Sequence, residues 1–541
     1  MRNNLSQRMT FLALAILMPF SSVASTSKAA PLIKEQPHNI YHVIKNKTLL
    51  AATNQLATRT GITFKISADL KNDIINQKLA ADDWKAGVAQ LLHGYNYSTE
   101  LDRGVIKTVV ITGRNGSGTD NAAKTAAQTD LVSVAPDPAK NLPGQYQNFN
   151  AGSVLKVSLP TKAELARIPV GEELILDLPI GQYKVKHDNL IDHADGTSTW
   201  VGYLDDEGKG YRVYLSQGNA DVMGNVYTPD GAYNIETVNG QTVIVDLARS
   251  GLQSAGYKND DIEHPTANLM NAGATAKVAN AAQTKPKTPT VSAATNTGTV
   301  VDLMVLYAKS MQTTDYATQR AGYLVDVSNQ AYQDSGINMS LRLVHTRPTA
   351  YAENNANSQA LNDLANDRGA FVGTASLRNQ YGADLVMLLR PLYAQSAGGC
   401  GTAYVGFANG GDGFSNSGYS VIGDGYSKDA LSNYYCRTST FTHELGHNLG
   451  NVHDREYSGF QGKFPYSYAW GINGKFGTIM SYYDPSVLLF STPNLATQCA
   501  GTPCGFAEGK ANSSDQAKTI NFTAPIVANY RTSTVKAPVI Q

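Results

Sequence analysis

The chain is 541 residues long, too long for one ordinary domain and suggestive of about three. Its 44 acidic and 44 basic side chains cancel, so charge offers no case for nucleic acid or an anionic membrane as partner. Hydrophobic residues make up 42% of the chain, enough for real cores, and beyond the N-terminus no apolar run is long enough to span a bilayer.

Residues 1–24 are predicted to be a signal peptide. Arg2 and Arg8 precede an apolar run over 9–20, and Ser22 and Ala24 have the spacing of a cleavage site, so the mature chain is expected to be secreted. Residues 31–113 are read as a small αβ module. A helix is predicted over 48–60, stopped by Gly61, a strand over 62–66, a second helix over 83–92, stopped by Gly94, and a hairpin over 99–111 turning at 102–104. With its segments LLAATNQLATRTGI and WKAGVAQLLHGYNY, this order resembles the short N-terminal domain of secretins and TonB-dependent receptors, which implies a docking or folding role.

From 114 to 146 the chain is rich in Gly, Ala, Asn, Thr and Pro and is read as a linker. A β-rich region is assigned to 147–263. Between 153 and 247, alternating segments such as YRVYL and TVIVDL are separated by turn signals, including Pro229-Asp230-Gly231 and Asn239-Gly240, which predicts a sandwich or a barrel. Residues 264–298 form a second linker, where Lys277, Lys285 and Lys287 are expected to be accessible to proteases. The last domain, 299–541, opens with a buried strand at 300–306 and an amphipathic helix over 315–334. Further strands at 339–344 and 384–389 alternate with helices, which argues for a sheet backed by helices, and a final helix over 514–531 is expected to be interrupted near Pro525.

Inside that domain, residues 443–454 read HELGHNLGNVHD and hold three of the chain's ten histidines. On a helix His443 and His447 lie one turn apart on one face, so two imidazoles can meet the same ion. Gly450 can take the left-handed conformation that ends the helix and returns His453 as a third ligand. Glu444 points in a neighbouring direction, where it can reach a water on that ion. Three imidazoles with a fourth position open is a catalytic zinc arrangement, whereas structural zinc is usually closed by four protein ligands.

The spacing HExxHxxGxxH, followed by GTIMSYY at 477–483, resembles the metzincin metallopeptidases, whose signature ends in a methionine-containing turn. Asp454 after the third histidine is similar to the adamalysin (reprolysin) branch. Tyr482, two residues past Met480, instead resembles serralysins and astacins, where that tyrosine approaches the zinc; a packed aromatic is the other reading of it. The resemblance implies an α+β multidomain chain whose C-terminal catalytic domain has a mixed sheet, a zinc helix and a Met-turn. It also implies a secreted zinc endopeptidase with one Zn2+ held by His443, His447 and His453, Glu444 as general base, and Met480 supporting the site from beneath. GGCGTAYVGF at 398–407 is similar to the edge strand that pairs with extended substrate, with Gly401, Thr402 and Ala403 as substrate-contacting backbone. This stretch also resembles bacterial peptidyl-Asp metallopeptidases, although no basic residue is assigned to an acidic side chain. VLLFSTPN at 487–494 is similar to the wall of the pocket beyond the scissile bond, and the β-rich region around WVGYL to adamalysin-type pro-regions.

Cys400, Cys436, Cys499 and Cys504 should be oxidised in an exported chain. Proximity favours 499 with 504 and leaves 400 with 436, while a second metal site is the rival reading. No cysteine precedes Cys400 in this sequence, so a thiolate from the pro-region cannot cover the zinc; latency would need the bulk of the β-rich region or a weaker ligand. The expected partners are protein or peptide substrates, with no nucleic acid and no membrane span, and the expected state is a monomer. Structural calcium has no support in any readable loop. The rival functions are a zinc-bearing adhesion or binding protein without turnover, and a metal-dependent hydrolase of a non-peptide bond.

Overall fold

The computed structural model describes residues 40–81, 84–102, 105–114, 130–139, 142–178, 181–218, 221–255, 261–263, 298–311, 313–429 and 432–535. The predicted signal peptide and nearly all of the second linker, with its three lysines, lie outside the described residues.

The N-terminal module contains β1 (Ile40–Thr48), a helix (Leu49–Thr60), β2 (Thr63–Ile66), β3 (Ile74–Ala81), a helix (Trp84–Leu91), β4 (Tyr95–Asp102) and β5 (Val105–Arg114). The first helix starts where Thr48 accepts a hydrogen bond from the Ala51 N–H at 3.2 Å, and stops at Gly61 with φ of 73°. Two small sheets form, β1 with β3 and β2-β5-β4, over a core that includes Leu56, Val88 and Val109. The pairing of β1 with β3 was not expected from the sequence.

Nine strands then close into a barrel: β6 (Asp130–Pro138), β7 (Val154–Ser158), β8 (Glu173–Leu178), β9 (Gly181–Asp192), β10 (Ser198–Leu204), β11 (Gly208–Gln217), β12 (Val222–Thr228), β13 (Gly231–Val238) and β14 (Gln241–Asp246). Closure removes both sheet edges. It also corrects the linker reading over 130–138, whereas 115–129 lie outside the described residues. β6 pairs with β7 and β8, and Leu131 and Val132 are fully buried. Its alternation is short and ends among Ala and Pro, so its strand character shows only once two neighbours supply hydrogen bonds.

The last domain is a mixed sheet covered by helices. Its path is β15 (Gln253–Ser254), β22 (Tyr434–Cys436), β21 (Tyr419–Tyr426), β19 (Leu385–Pro391), β17 (Thr299–Ala308) and β18 (Met339–Thr349). β21, β19, β17 and β18 are mutually parallel, whereas β22 and β20 (Gly401–Tyr404) both run antiparallel to β21. β16 (Asp261–Glu263) adds to the far side of β20 in parallel register. The final helix spans Gln516–Val527, carries Pro525 inside its last turn and ends two residues after it, short of the expected 531.

Barrel and sheet domain share buried surface. The long helix Thr314–Asp334 offers Tyr323 and Val327 to Val201, Tyr214 and Met223 of the barrel wall. Arg212 of β11 has a fully buried side chain, with Nε donating to Asp334 at 2.6 Å and an Nη donating to Asp188 at 2.7 Å. Such a charge is tolerated only because both carboxylates compensate it. Asn225 of β12 accepts from Tyr323 Oη at 2.6 Å and from Thr438 Oγ1 at 2.8 Å, tying the barrel to the segment before the histidine helix.

His193 extends this junction, with Nε2 2.8 Å from an Asp326 oxygen. Burial lowers the imidazole's pKa, but the Asp326 hydrogen bond and charge outweigh that and raise it above the ordinary value. A raised folded-state pKa stabilises the fold below the unfolded value of about 6.5, and the contribution disappears as pH climbs through the folded value. Melting the full chain from pH 6 upward should therefore show a loss of stability that His193→Gln flattens. An identical pH slope in the variant would remove His193 from the junction's energetics.

Candidate metal centre

The histidine helix spans Thr440–Asn448 and lies buried under β20 and β21. Asn448 fastens it there, its Nδ2 lying 2.9 to 3.0 Å from the carbonyls of Tyr404, Ser417 and Tyr419. Thr442 Oγ1 meets Ser328 Oγ of the long helix at 2.8 Å, and Thr523 of the final helix donates to the Leu449 carbonyl at 2.7 Å. The helix ends at Gly450, whose φ of 89° permits the turn that a β-carbon would strain.

After that turn His453 returns to the helix. The Nε2 atoms of His443, His447 and His453 lie 3.0 to 3.2 Å from one another. These separations are close to the roughly 3.3 Å expected between nitrogens that each sit about 2.0–2.1 Å from one tetrahedral zinc ion. The other ring nitrogens fix the tautomers of the two helical histidines. Nδ1 of His443 donates to the Ile479 carbonyl at 3.0 Å, and Nδ1 of His447 donates to the Asn451 carbonyl at 2.9 Å, leaving Nε2 as the lone-pair nitrogen on each ring. Three neutral imidazoles aimed at one point repel one another unless a cation accepts their lone pairs, so the donor set fits zinc. Among the described residues this is the one cluster of three or more His, Cys, Asp or Glu side chains able to hold a metal ion.

Glu444 is fully buried, and Gly401 at the start of β20 lies directly over it; a β-carbon on that glycine would overlap Oε1. Met480 is fully buried beneath the helix, its sulfur so close to Gly446 that no β-carbon could intervene. Tyr482 Oη lies 2.9 Å from Nδ1 and 3.1 Å from Nε2 of His453, within reach of the ring. The Tyr482 N–H donates to Asp454 at 2.9 Å, and burial pushes that carboxyl up to about 6. Thr402 and Ala403 are buried between two neighbours, β21 on one side and β16 on the other.

Cys400 bonds Cys436, joining the start of β20 to the approach to the histidine helix, and Cys499 bonds Cys504, so neither pair forms a metal site. Val487, Leu488, Leu489 and Phe490, likened above to a pocket wall, are fully buried in the domain and barrel cores. A cavity of about 810 Å3 is lined instead by Asp484, Pro485 and Ser486, together with Gly398, Gly399 and Arg437. Arg437 escaped the sequence reading. Its one local signal is its place between a cysteine and the histidine helix, and what it faces depends on three segments that are distant in sequence.

Residues 297–510 match the reprolysin-like M12B metallopeptidase family, and residues 156–249 match the BamI lipocalin-like domain family, in keeping with the closed barrel. The chain is 33% identical over 287 residues to a peptidyl-Asp metalloendopeptidase of Pseudomonas aeruginosa, a match covering 48% of this chain and 43% of that protein. It is 26% identical over 212 residues to a peptidyl-Asp metalloendopeptidase of Xanthomonas campestris, covering 38% of this chain and 45% of that one. The matches thus span less than half the length of either relative. Metalloproteinase-II from Bacteroides fragilis superposes with a TM-score of 0.33 at 10% identity, covering 52% of this chain and 81% of that one.

If Gly401 is kept small by Glu444, then Gly401→Ala should displace the carboxylate or the strand and lower the melting temperature by several degrees, a cost of about 1–3 kcal/mol for overpacking. Gly459→Ala, with nothing near its missing β-carbon and no left-handed φ, serves as the control for loss of a glycine alone. Equal effects at the two positions would mean that the Glu444 contact carries no special weight.

Proposed function

We propose that this chain, whose C-terminal part carries a reprolysin-like metallopeptidase domain, is a secreted zinc endopeptidase made as a precursor. The observation that carries the reading is the convergence of His443, His447 and His453 beside a buried Glu444 and beneath strand β20. The three imidazoles hold the metal. When bound, zinc supplies a Lewis acid that polarises a carbonyl and brings a water's pKa toward neutrality. Glu444 takes a proton from the attacking water and returns it to the leaving amine. Tyr482, placed at the rim of the His453 ring, steadies developing negative charge on the substrate oxygen. Backbone groups of Gly401, Thr402 and Ala403 align an extended peptide. The two relatives are named for aspartyl peptide bonds, and we take bonds next to an acidic residue as the preferred substrate.

Latency rests on β16. This strand follows the barrel in the chain and occupies the side of β20 that a peptide would use, pairing Asp261 with Thr402, Ile262 with Ala403 and Glu263 with Tyr404. The barrel anchors it through the Arg212 and Asn225 contacts, so blockade needs no cysteine. Cleavage within the linker after residue 263, followed by withdrawal of the strand, frees the cleft.

Glu444→Ala should abolish peptide hydrolysis while leaving zinc bound, since the three ligands remain. Metal analysis of the purified variant checks this, and loss of zinc along with activity would contradict the role. Ile262→Pro removes an N–H from β16 and should raise the hydrolysis rate of the unprocessed chain several-fold. An unchanged rate would mean that β16 is no part of the block.

A further inference from the structure

Three wall segments of the cavity of about 810 Å3 run on along the chain into the metal centre, although no site residue itself lines the cavity. Gly398 and Gly399 lead into Gly401, which lies over Glu444. Arg437 and Thr438 lead into the histidine helix, and Asp484 follows two residues after Tyr482, which touches His453. All three wall segments therefore reach the site within a few residues. A peptide lying along β20 with its scissile bond at Glu444 would carry its neighbouring side chain toward this wall.

The chemistry of this cavity is set by one cation. Arg437 is mostly buried, 16% of its side chain remaining accessible, and it pairs with Asp484, which is 56% exposed. The Cys400–Cys436 disulfide fixes the backbone immediately before Arg437, and this anchor stays when the barrel leaves. Asp484 is the looser member of the pair. An exposed carboxylate can turn to water at little cost, whereas a buried guanidinium cannot be left unpaired. The pair is thus built to exchange one carboxylate for another at a fixed cation, and a planar guanidinium can grip the newcomer through two parallel hydrogen bonds. More than half of the wall comes from the barrel and the segment after it, including Asn225, Asp230, Leu247 and Leu252, so release of the barrel opens the cavity and leaves the side that carries Arg437.

We infer that Arg437 is the residue that recognises an acidic side chain next to the scissile bond, taking it from Asp484 in this cavity. The inference rests on the endopeptidase reading. Its test is a pair of peptide libraries, identical except for Asp or Asn at the positions flanking the cleaved bond, given to the zinc-loaded secreted product of the full chain.

The wild type should favour the Asp library. Arg437→Gln should lower the Asp-to-Asn ratio of kcat/KM at least about tenfold, mainly through KM. Asp484→Asn removes the internal competitor and should raise the ratio, which a purely structural ion pair would not do. If the wild type cuts no peptide at all, the endopeptidase reading fails. If it cuts with acidic preference and that preference survives Arg437→Gln, only the assignment of Arg437 falls. Should Arg437→Gln fail to fold, Asp484→Asn decides, and an unchanged or lowered ratio overturns the inference.

Discussion

Three imidazole nitrogens with their lone pairs turned toward one point cannot hold one another at 3.0 to 3.2 Å. That arrangement persists only with a cation among them or with a scaffold stiff enough to hold it ready. The scaffold is present. Carbonyls of Ile479 and Asn451 fix two rings, Asn448 clamps the helix to three carbonyls, and Met480 fills the space under Gly446. These partners come from several loops and strands distant in sequence, so the fold of the last domain is in large part the set of connections that brings them together. The glycines at 401, 446 and 450 mark where that assembly leaves no room for a side chain or needs a left-handed turn.

The barrel is bound into the same assembly. Arg212, fully buried between Asp188 and Asp334, and Asn225, shared by Tyr323 and Thr438, connect the barrel wall to the long helix and to the segment before the histidine helix. Buried polar contacts of this kind specify one docking arrangement more than they add stability, because each demands its partner. The chain leaves the barrel at Asp246 and then lays β15 against β22 and β16 against β20. A barrel fixed in place therefore fixes where that segment lies. In the precursor proposed above, latency would rest on backbone pairing rather than on metal ligation.

The sequence made the local parts of this picture readable. The four-residue spacing of His443 and His447, the helix stop at Gly450 and the nearness of Cys499 to Cys504 are short-range facts, and the site cluster contains the three histidines that such facts select. The helix over residues 48–60 was legible for the same reason, with Thr48 and Gly61 spelling its ends. What escaped depends on distant partners. β6 looked like linker because Leu131 and Val132 acquire a strand's meaning only beside β7 and β8. The pairing of β16 with β20 joins residues more than a hundred positions apart, and no periodicity encodes it. The segment 487–494 resembles a pocket wall, and its first four residues are fully buried, with the barrel supplying a second apolar surface against them. Arg437 was invisible as a carboxylate receptor because a cavity is a property of three segments at once.

The account depends most on the metal. Zinc analysis of the purified full chain, joined to X-ray absorption at the zinc edge, tests it most directly. The expected result is one zinc per chain with nitrogen or oxygen neighbours at about 2.0–2.1 Å and no sulfur at about 2.3 Å. A folded chain that binds no zinc under saturating conditions, or a zinc whose neighbours include sulfur, would contradict the three-histidine centre and the proposed chemistry with it.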